Sequence, residues 1–413
     1  MSNENTYRYA GEFEEQEAVI VGWPRIIEPV KGMYTEAVMH EVVKSLIGQV
    51  DKVIINCGWP GTYERCREIL TEGGIDLNDV TITQMPDMMH WMRDYGPDII
   101  KNDKGEMRLV HFRFDMYGMG EEDSDMSIMC KKFAPHMAIE HGCYDIVESC
   151  LISEGGDKEF NGAGVMMAIE DTEVNKRNSS MTKEQVEEEF KRVFNLKKII
   201  WLPLCHWEEE ASTIGVLDYV DGKSVYRSGS ANGHIDELAR FVDRNTVLLL
   251  DIDEEEAKTI ESARITKERC DMAYEVLKNE TDAEGNPIKI IRIPAPIPEY
   301  ITTTPEDWTN RTWGKRFADN EEALLDDGTP MPEGEIIMQP AMSYINYLVC
   351  NKVVIAQCYW KEGKSEAIRK RDEEAMAALQ KAYPDRKIIP IYSMALNIRG
   401  GGIHCATKNI QKF

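Results

Sequence analysis

The sequence predicts a mixed α/β fold in which small units of hairpin, helix and strand repeat and close radially. Two observations carry this: helix-period segments that run directly into β-branched strands, and two-stranded hairpins set between those couples. The unit recurs roughly every 60 to 90 residues, longer than solenoid repeats, and a chain of plain parallel βαβ units would lack the hairpins.

The first couple is "TEAVMHEVVKSLIGQV" followed by "DKVIINC". In the second, "SMTKEQVEEEFKRVFNL" leads into "KKIIWLP", with Ser180 or Thr182 as the helix cap and acidic residues in the first turn. A long acidic helical stretch from Glu254 to Asn279 leads into "IKIIRIP", and "SEAIRKRDEEAMAALQKAYP" leads into "DRKIIPIY", with Pro384 ending that helix. The hairpins are "DIIKNDKGEMRLVHFRF", turning at Asn102 to Gly105, "KEFNGAGVMMAI", turning at Asn161 and Gly162, and "YINYLVCNKVVIAQCY", turning near Asn351. Two segments fit the repeat poorly, Ile214 to Ala231 and Arg311 to Glu335, and read as surface insertions.

Composition narrows the function. The 413 residues are 42% hydrophobic and 29% charged, which is globular composition with enough apolar content for a large core. The formal net charge is −25, from 73 acidic against 48 basic residues, which argues against nucleic acid or an anionic membrane as partner and favours a cationic small molecule. The start shows no basic segment followed by an apolar one, so no secretory signal is expected and the cytoplasm is the expected compartment. Ten cysteines are scattered without a C-x-x-C pair, and most are read as small buried hydrophobes.

Four stretches join glycine to a carboxylate, imidazole or thiol: "HWMRDYGPD", "SEGGD", "NGHIDELARF" and "IRGGGIHCAT". In "GHID", if extended, His234 and Asp236 project from one face of a strand, although the motif alone fits a strand end with its polar pair in water at least as well. Trp91 and Asp94 of "WMRD" could stack on and pair with a planar cation; a core Trp91 beside a surface Arg93–Asp94 pair explains them equally. Glu154 could be a turn acid and nothing else. A zinc site built on "CHWEEE" and "GIHC" lacks a second ligand pair at the required spacing, so no metal is expected. Three carboxylates, an imidazole and a thiol fit a cation attacked by sulfur, and guanidinium is the cation whose N–H forks match carboxylates best.

In this order the stretches "EFEEQEAVIVGWP", "WMRDYGP", "EGG", "NKRN", "KKIIWLP", "GHIDELARFV", "SYINY", "YPDRKIIPI" and "GGGIHC" resemble the agmatine deiminase family. That family includes the bacterial-type peptidylarginine deiminases and belongs to the guanidino-group-modifying pentein superfamily. The resemblance implies a five-bladed α/β propeller with surface insertions, one catalytic domain over residues 1–413, no cofactor and no metal, and a homodimer or larger assembly. It implies that Cys405 is the nucleophile that forms a covalent thiouronium, and that His234 is first the acid and then the base. Asp94 and Asp236 would grip the guanidinium, Glu154 would stand behind the histidine, and Trp91 and Asn346 would lie on the substrate side. His404 receives no chemical role. The implied reaction turns a guanidinium into a ureido group and ammonia, with agmatine giving N-carbamoylputrescine. Arginine or peptidylarginine giving citrulline are the alternatives, with an amidinotransferase behind them.

Two departures fall where the far end of a substrate would sit. "HFRFDMYGMG" brings Arg113, Asp115 and Tyr117 where the family usually reads D-W-x-F-N-A-W-G-G, and Arg399 stands where the family usually has a small residue. Either arginine could pair with a substrate carboxylate, or make only a solvated rim pair. The 214–231 insertion would lengthen the approach to "GHID" and act as a lid or narrow the entrance.

Overall fold

The computed structural model describes residues 6–315 and 324–412. Its strands form six small separate sheets among the described residues, not one closed barrel. Five of the sheets share a topology. Asp98–Lys101 pairs antiparallel with Met107–Arg113, the chain crosses through the helix Asp125–Glu140, and Ile146–Ile152 returns parallel to the middle strand. The same order recurs in Lys158–Phe160, Val165–Ile169, helix Lys183–Phe194 and Lys198–Leu202. It recurs with Ala239–Phe241, Thr246–Asp251 and Lys289–Pro294, and again with Leu348–Cys350, Val353–Cys358, helix Glu366–Ala382 and Lys387–Tyr392. In the remaining unit Thr407–Gln411 supplies the antiparallel strand to Gln16–Gly22, so the two ends of the described chain are tied in one sheet. Helix Thr35–Leu46 then leads to the parallel strand Lys52–Asn56, and Thr81–Thr83 extends the edge.

The middle strand of each unit carries the core. "VMMAI" is buried throughout and "TVLLLD" is buried except at its last residue. Such continuous apolar runs are expected where a strand is covered on both faces, and each buried aliphatic contributes about 1.5–3 kcal/mol. The capping box expected near Ser180 or Thr182 forms on Thr182: its hydroxyl accepts from the Gln185 N–H and the Gln185 side chain accepts from the Thr182 N–H.

The structure corrects the sequence reading at three places. A fifth helix–strand couple, Asp125–Glu140 with Ile146–Ile152, lies in a segment whose helical period is blurred by Pro135. The acidic stretch after Asp253 is two helices, Glu254–Thr259 and Glu261–Leu277, because Ile260 between them is extended at φ −122° and ψ 120°. The two insertions are not separate surface loops. Lys223–Arg227 from the first pairs parallel with Ile336–Gln339 just after the second, with Asp218–Val220 and Ile301–Thr303 at the edges. Val225 and Arg227 of this sheet are buried. Residues 316–323 of the second insertion lie outside the described residues.

Candidate active site

Every candidate catalytic side chain sits in the loop or short turn that precedes the first strand of a unit. Asp94 lies in the turn Met92–Tyr95 before Asp98–Lys101, and Glu154 leads through a one-turn helix into Lys158–Phe160. His234, Asp236 and Glu237 precede Ala239–Phe241, Asn346 precedes Leu348–Cys350, and Cys405 precedes Thr407–Gln411. The repeat thus delivers one loop from each of five units to a common place.

Cys405 is buried, and its Sγ accepts a hydrogen bond from Asn346 Nδ2 at 3.1 Å. Asp236 Oδ2 and Glu237 Oε1 lie 4.0 Å from the same sulfur. The Asn346 amide is fully used: Nδ2 also donates to Asp236 Oδ2 at 3.1 Å, and Oδ1 accepts from the backbone N–H groups of His404 and Cys405 at 3.0 and 3.3 Å. The glycines before Cys405 have a packing reason, because a Cβ at Gly402 would overlap Asn346 Oδ1.

The His234 ring stands between four carboxylates. Its Nδ1 is 3.6 Å from Asp94 and 3.9 Å from Asp236, while Nε2 is 3.4 Å from Glu154 and 3.5 Å from Asp157. Gly156 permits this approach, since a Cβ there would run into the ring, and its N–H donates to Asp94 Oδ1 at 3.3 Å. Tyr117 Oη donates to the other Asp94 oxygen at 3.0 Å. Glu154 is gripped from behind by Arg177, whose Nε donates to both carboxylate oxygens at 2.9 and 3.1 Å.

The extended reading of "GHID" is corrected: Ile235–Glu237 is a single helical turn following an extended His234. The turn still gathers His234 and Asp236, and it also points Glu237 toward the sulfur, which strict alternation along a strand would have turned away.

The charges in this pocket are unbalanced. Burial, aided by Asp236, lifts the Asp94 carboxyl to about 6, and burial with the Glu154 charge lifts Asp157 to about 7. Burial works to raise Glu154 too, but Arg177 and hydrogen bonds from Asp157 and His234 hold it at about 2. Burial disfavours the charged His234 ring, and Asp157, Asp94, Glu154 and Asp236 together overcome that and raise it well above the usual histidine value. Burial with Asp236, Glu237 and Asp94 pushes the Cys405 thiol well up. Two sets, Glu154–Asp157–His234 and Asp236–Glu237–Cys405, hold ligand-type atoms within 4.8 Å of one another, and both belong to this one pocket.

Cys405, His234, Asp94, Asp236, Glu154 and Asn346 are therefore brought together. The half-buried Trp91 packs its ring against Gly401 beside Cys405 and lies 4.1 Å from the His90 ring. The two arginines differ from expectation. Arg399 Nη1 donates to Thr309 Oγ1 at 2.9 Å and Nη2 to the Glu28 carbonyl at 2.6 Å, with the guanidinium 5.2 Å from the Trp308 ring. Arg113 lines a small cavity together with Asp94, but it is exposed, donating from Nε to Glu122 at 2.8 Å and from Nη1 to the Cys150 carbonyl at 3.0 Å. Both guanidinium groups pair with the chain itself, with Arg399 Nε left without a hydrogen-bond partner among the described residues.

Sequence reasoning missed Asp157, Arg177, Glu237 and Glu12, and left His404 idle. Asp157 and Arg177 lie inside "SEGGD" and "NKRN", so proximity to a motif was the available signal. His404 proves to bridge two carboxylates, with Nδ1 2.5 Å from Asp236 Oδ2 and Nε2 3.0 Å from both Glu12 oxygens. Nothing in "EFEEQE" separates Glu12 from its acidic neighbours.

A family model described as Porphyromonas-type peptidyl-arginine deiminase matches residues 8–410. A Latilactobacillus sakei protein provisionally named an agmatine deiminase is 27% identical over 413 residues, covering 98% of this chain and 96% of the relative. A Marinomonas protein with the same provisional name is 27% identical over 98% of this chain and 94% of its own. The solved structure of agmatine deiminase from Enterococcus faecalis superimposes with a TM-score of 0.73 at 23% identity, over 100% of this chain and 99% of that one. With a family match over nearly its whole length, this chain belongs to the Porphyromonas-type peptidyl-arginine deiminase family.

Proposed function

We propose that the protein hydrolyses the guanidinium group of agmatine to N-carbamoylputrescine and ammonia, using Cys405 as nucleophile. The observation that carries this reading is a buried thiol beside Asp236 and Glu237, with Asp94 close enough to act on it, and, among the described residues, no lysine or arginine paired with any of those three carboxylates. Such a pocket is costly when empty and is relieved by a planar cation, whose N–H groups satisfy the carboxylates. The same cation lowers the cost of forming the thiolate, so the substrate helps to ionise the sulfur that attacks it.

The steps follow from the geometry. Thiolate adds to the guanidinium carbon, and His234, held protonated by its four carboxylates, gives a proton to the departing nitrogen as ammonia leaves. Neutral His234 then takes a proton from water, whose oxygen attacks the thiouronium carbon. The C–S bond then breaks with its electron pair staying on sulfur, while the added hydroxyl releases its proton to solvent and becomes the ureido carbonyl, so that the product leaves and the Cys405 thiolate is restored. Asn346 Nδ2 steadies the negative sulfur at the start and end of the cycle.

Agmatine is favoured over arginine because the two arginines that could have met a carboxylate, Arg399 and Arg113, are committed to Thr309, Glu28, Glu122 and Cys150. The provisional names of the relatives agree. The same reading takes the chain as one catalytic domain of five blades, supported by five like sheets and by the pairing of Thr407–Gln411 with Gln16–Gly22. The test is a panel of agmatine, free arginine and arginyl peptides, with ureido product and ammonia both measured. Agmatine is expected to lead in kcat/KM by at least about a hundredfold, and turnover of arginine above that of agmatine would overturn the substrate assignment.

A further inference from the structure

Behind the Cys405 pocket lies a second buried charge cluster that the reaction above does not use. Glu12, from the segment before the first strand, meets Arg93 Nη1 on one oxygen, Arg240 Nη2 on the other, and His404 Nε2 at 3.0 Å from both. Each partner belongs to a different catalytic segment. Arg93 directly precedes Asp94, His404 directly precedes Cys405, and Arg240 follows Asp236 by four positions.

The partners are anchored in turn. Arg93 donates to Asn409 Oδ1 at 2.6 Å, and Arg240 to Glu159 Oε1 and the Tyr347 carbonyl, both at 2.6 Å. His404 carries the link forward, since its Nδ1 is 2.5 Å from the Asp236 oxygen that also faces Asn346 and Cys405. One carboxylate thus joins chain positions that are hundreds of residues apart and that must share one geometry.

We propose that Glu12 is a positioning residue, a largely buried carboxylate that sets the relative placement of Asp94, Asp236 and Cys405 by holding Arg93, Arg240 and the His404 ring on their three segments. The proposal rests on the guanidine reading for what the site does, but not for the geometry itself. A misplacement of about 1 Å in such a site costs on the order of a hundredfold in rate. A buried ion cluster that served stability alone would shift the unfolding midpoint and leave the folded enzyme's turnover unchanged.

The experiment compares the wild type with Glu12→Gln and Glu12→Asp in the full chain. It measures the far-UV spectrum, the thermal midpoint, kcat and KM for agmatine, and the iodoacetamide alkylation rate of Cys405 followed on its own peptide. Glu12→Gln is expected to lose about a hundredfold in kcat while still folded, and Glu12→Asp, which keeps the charge, to recover at least about tenfold of it. A kcat for folded Glu12→Gln within about threefold of wild type overturns the proposal, whatever happens to the midpoint.

Should Glu12→Gln not fold, His404→Gln cuts the link to Asp236 and spares both Arg contacts to Glu12. A fall of at least about tenfold in kcat/KM supports the proposal, and a fall below about threefold overturns it. If the wild type makes no ureido product from any guanidine, the functional reading fails. Cys405 alkylation then decides the positioning role alone: a change of at least about fivefold in Glu12→Gln or His404→Gln sustains it, and a smaller one overturns it.

Discussion

Two buried charge clusters lie side by side in this molecule, and they are built on opposite principles. Around His234 four carboxylates converge; among the described residues Arg177 answers Glu154, and the His404 ring meets Asp236. Around Glu12 the count is inverted, because one carboxylate meets Arg93, Arg240 and His404. Burial alone would raise Glu12, yet those three partners hold it well below the usual carboxylate range, whereas Asp94 and Asp157 rise to about 6 and 7. A cluster that satisfies itself supports architecture. One left short of positive charge is waiting for a ligand.

The largest expected effect removes the sulfur from the unbalanced side. Cys405→Ser keeps the shape and the carboxylates but replaces a polarisable thiol by a hydroxyl that does not ionise, so ammonia release should fall by at least about four orders of magnitude. Retention of more than about one per cent of turnover would break the distinction between the two clusters.

A smaller effect separates them by pH. Asp94 and Asp157 keep protons when folded that an unfolded carboxyl near about 3.9 has already lost. The folded state therefore binds more protons between those values, and its stability falls as pH rises from about 4 to about 7. Glu154, held at about 2, and Glu12 have the opposite sign. Their stabilisation is present above the unfolded value of about 4.3 and lost as pH falls through the folded one. Thermal midpoints of Cys405→Ser across that range should decline by a few degrees toward high pH, and saturating agmatine should flatten the decline, since the cation replaces the protons. A slope that agmatine leaves untouched would mean that the carboxylates do not meet the guanidinium.

The smallest effect concerns the rim. Arg399→Ala removes the contacts to Thr309 and Glu28 and should lower the thermal midpoint. It should leave the ratio of agmatine to arginine kcat/KM within about threefold of wild type. A larger change in that ratio would return Arg399 to the substrate.

The local elements were the most legible part of the sequence. Gly105 turns its hairpin at φ 77°, Thr182 caps its helix, and the β-branched runs after the helices form the returning parallel strands, because each depends on neighbours within a few residues. The helix Asp125–Glu140 was hidden because Pro135 and scattered polar residues break the period from which a helix is read. The reactive residues were legible from the glycine-flanked motifs, but the residues that tune them were not. Arg177 reaches Glu154 across 23 positions, and Glu12 reaches His404 across 392.

Arg399 shows the limit most clearly. An arginine beside three glycines reads as a reaching arm, and only the folded chain reveals that Glu28 and the helix Trp308–Lys315 already hold it. The sequence by itself determined the chemistry on offer: one nucleophilic sulfur, one imidazole, the carboxylates and an acidic surround. The tertiary structure decided which of those charges remain without a partner, because Coulomb energy in a buried site depends on distances that chain order does not contain.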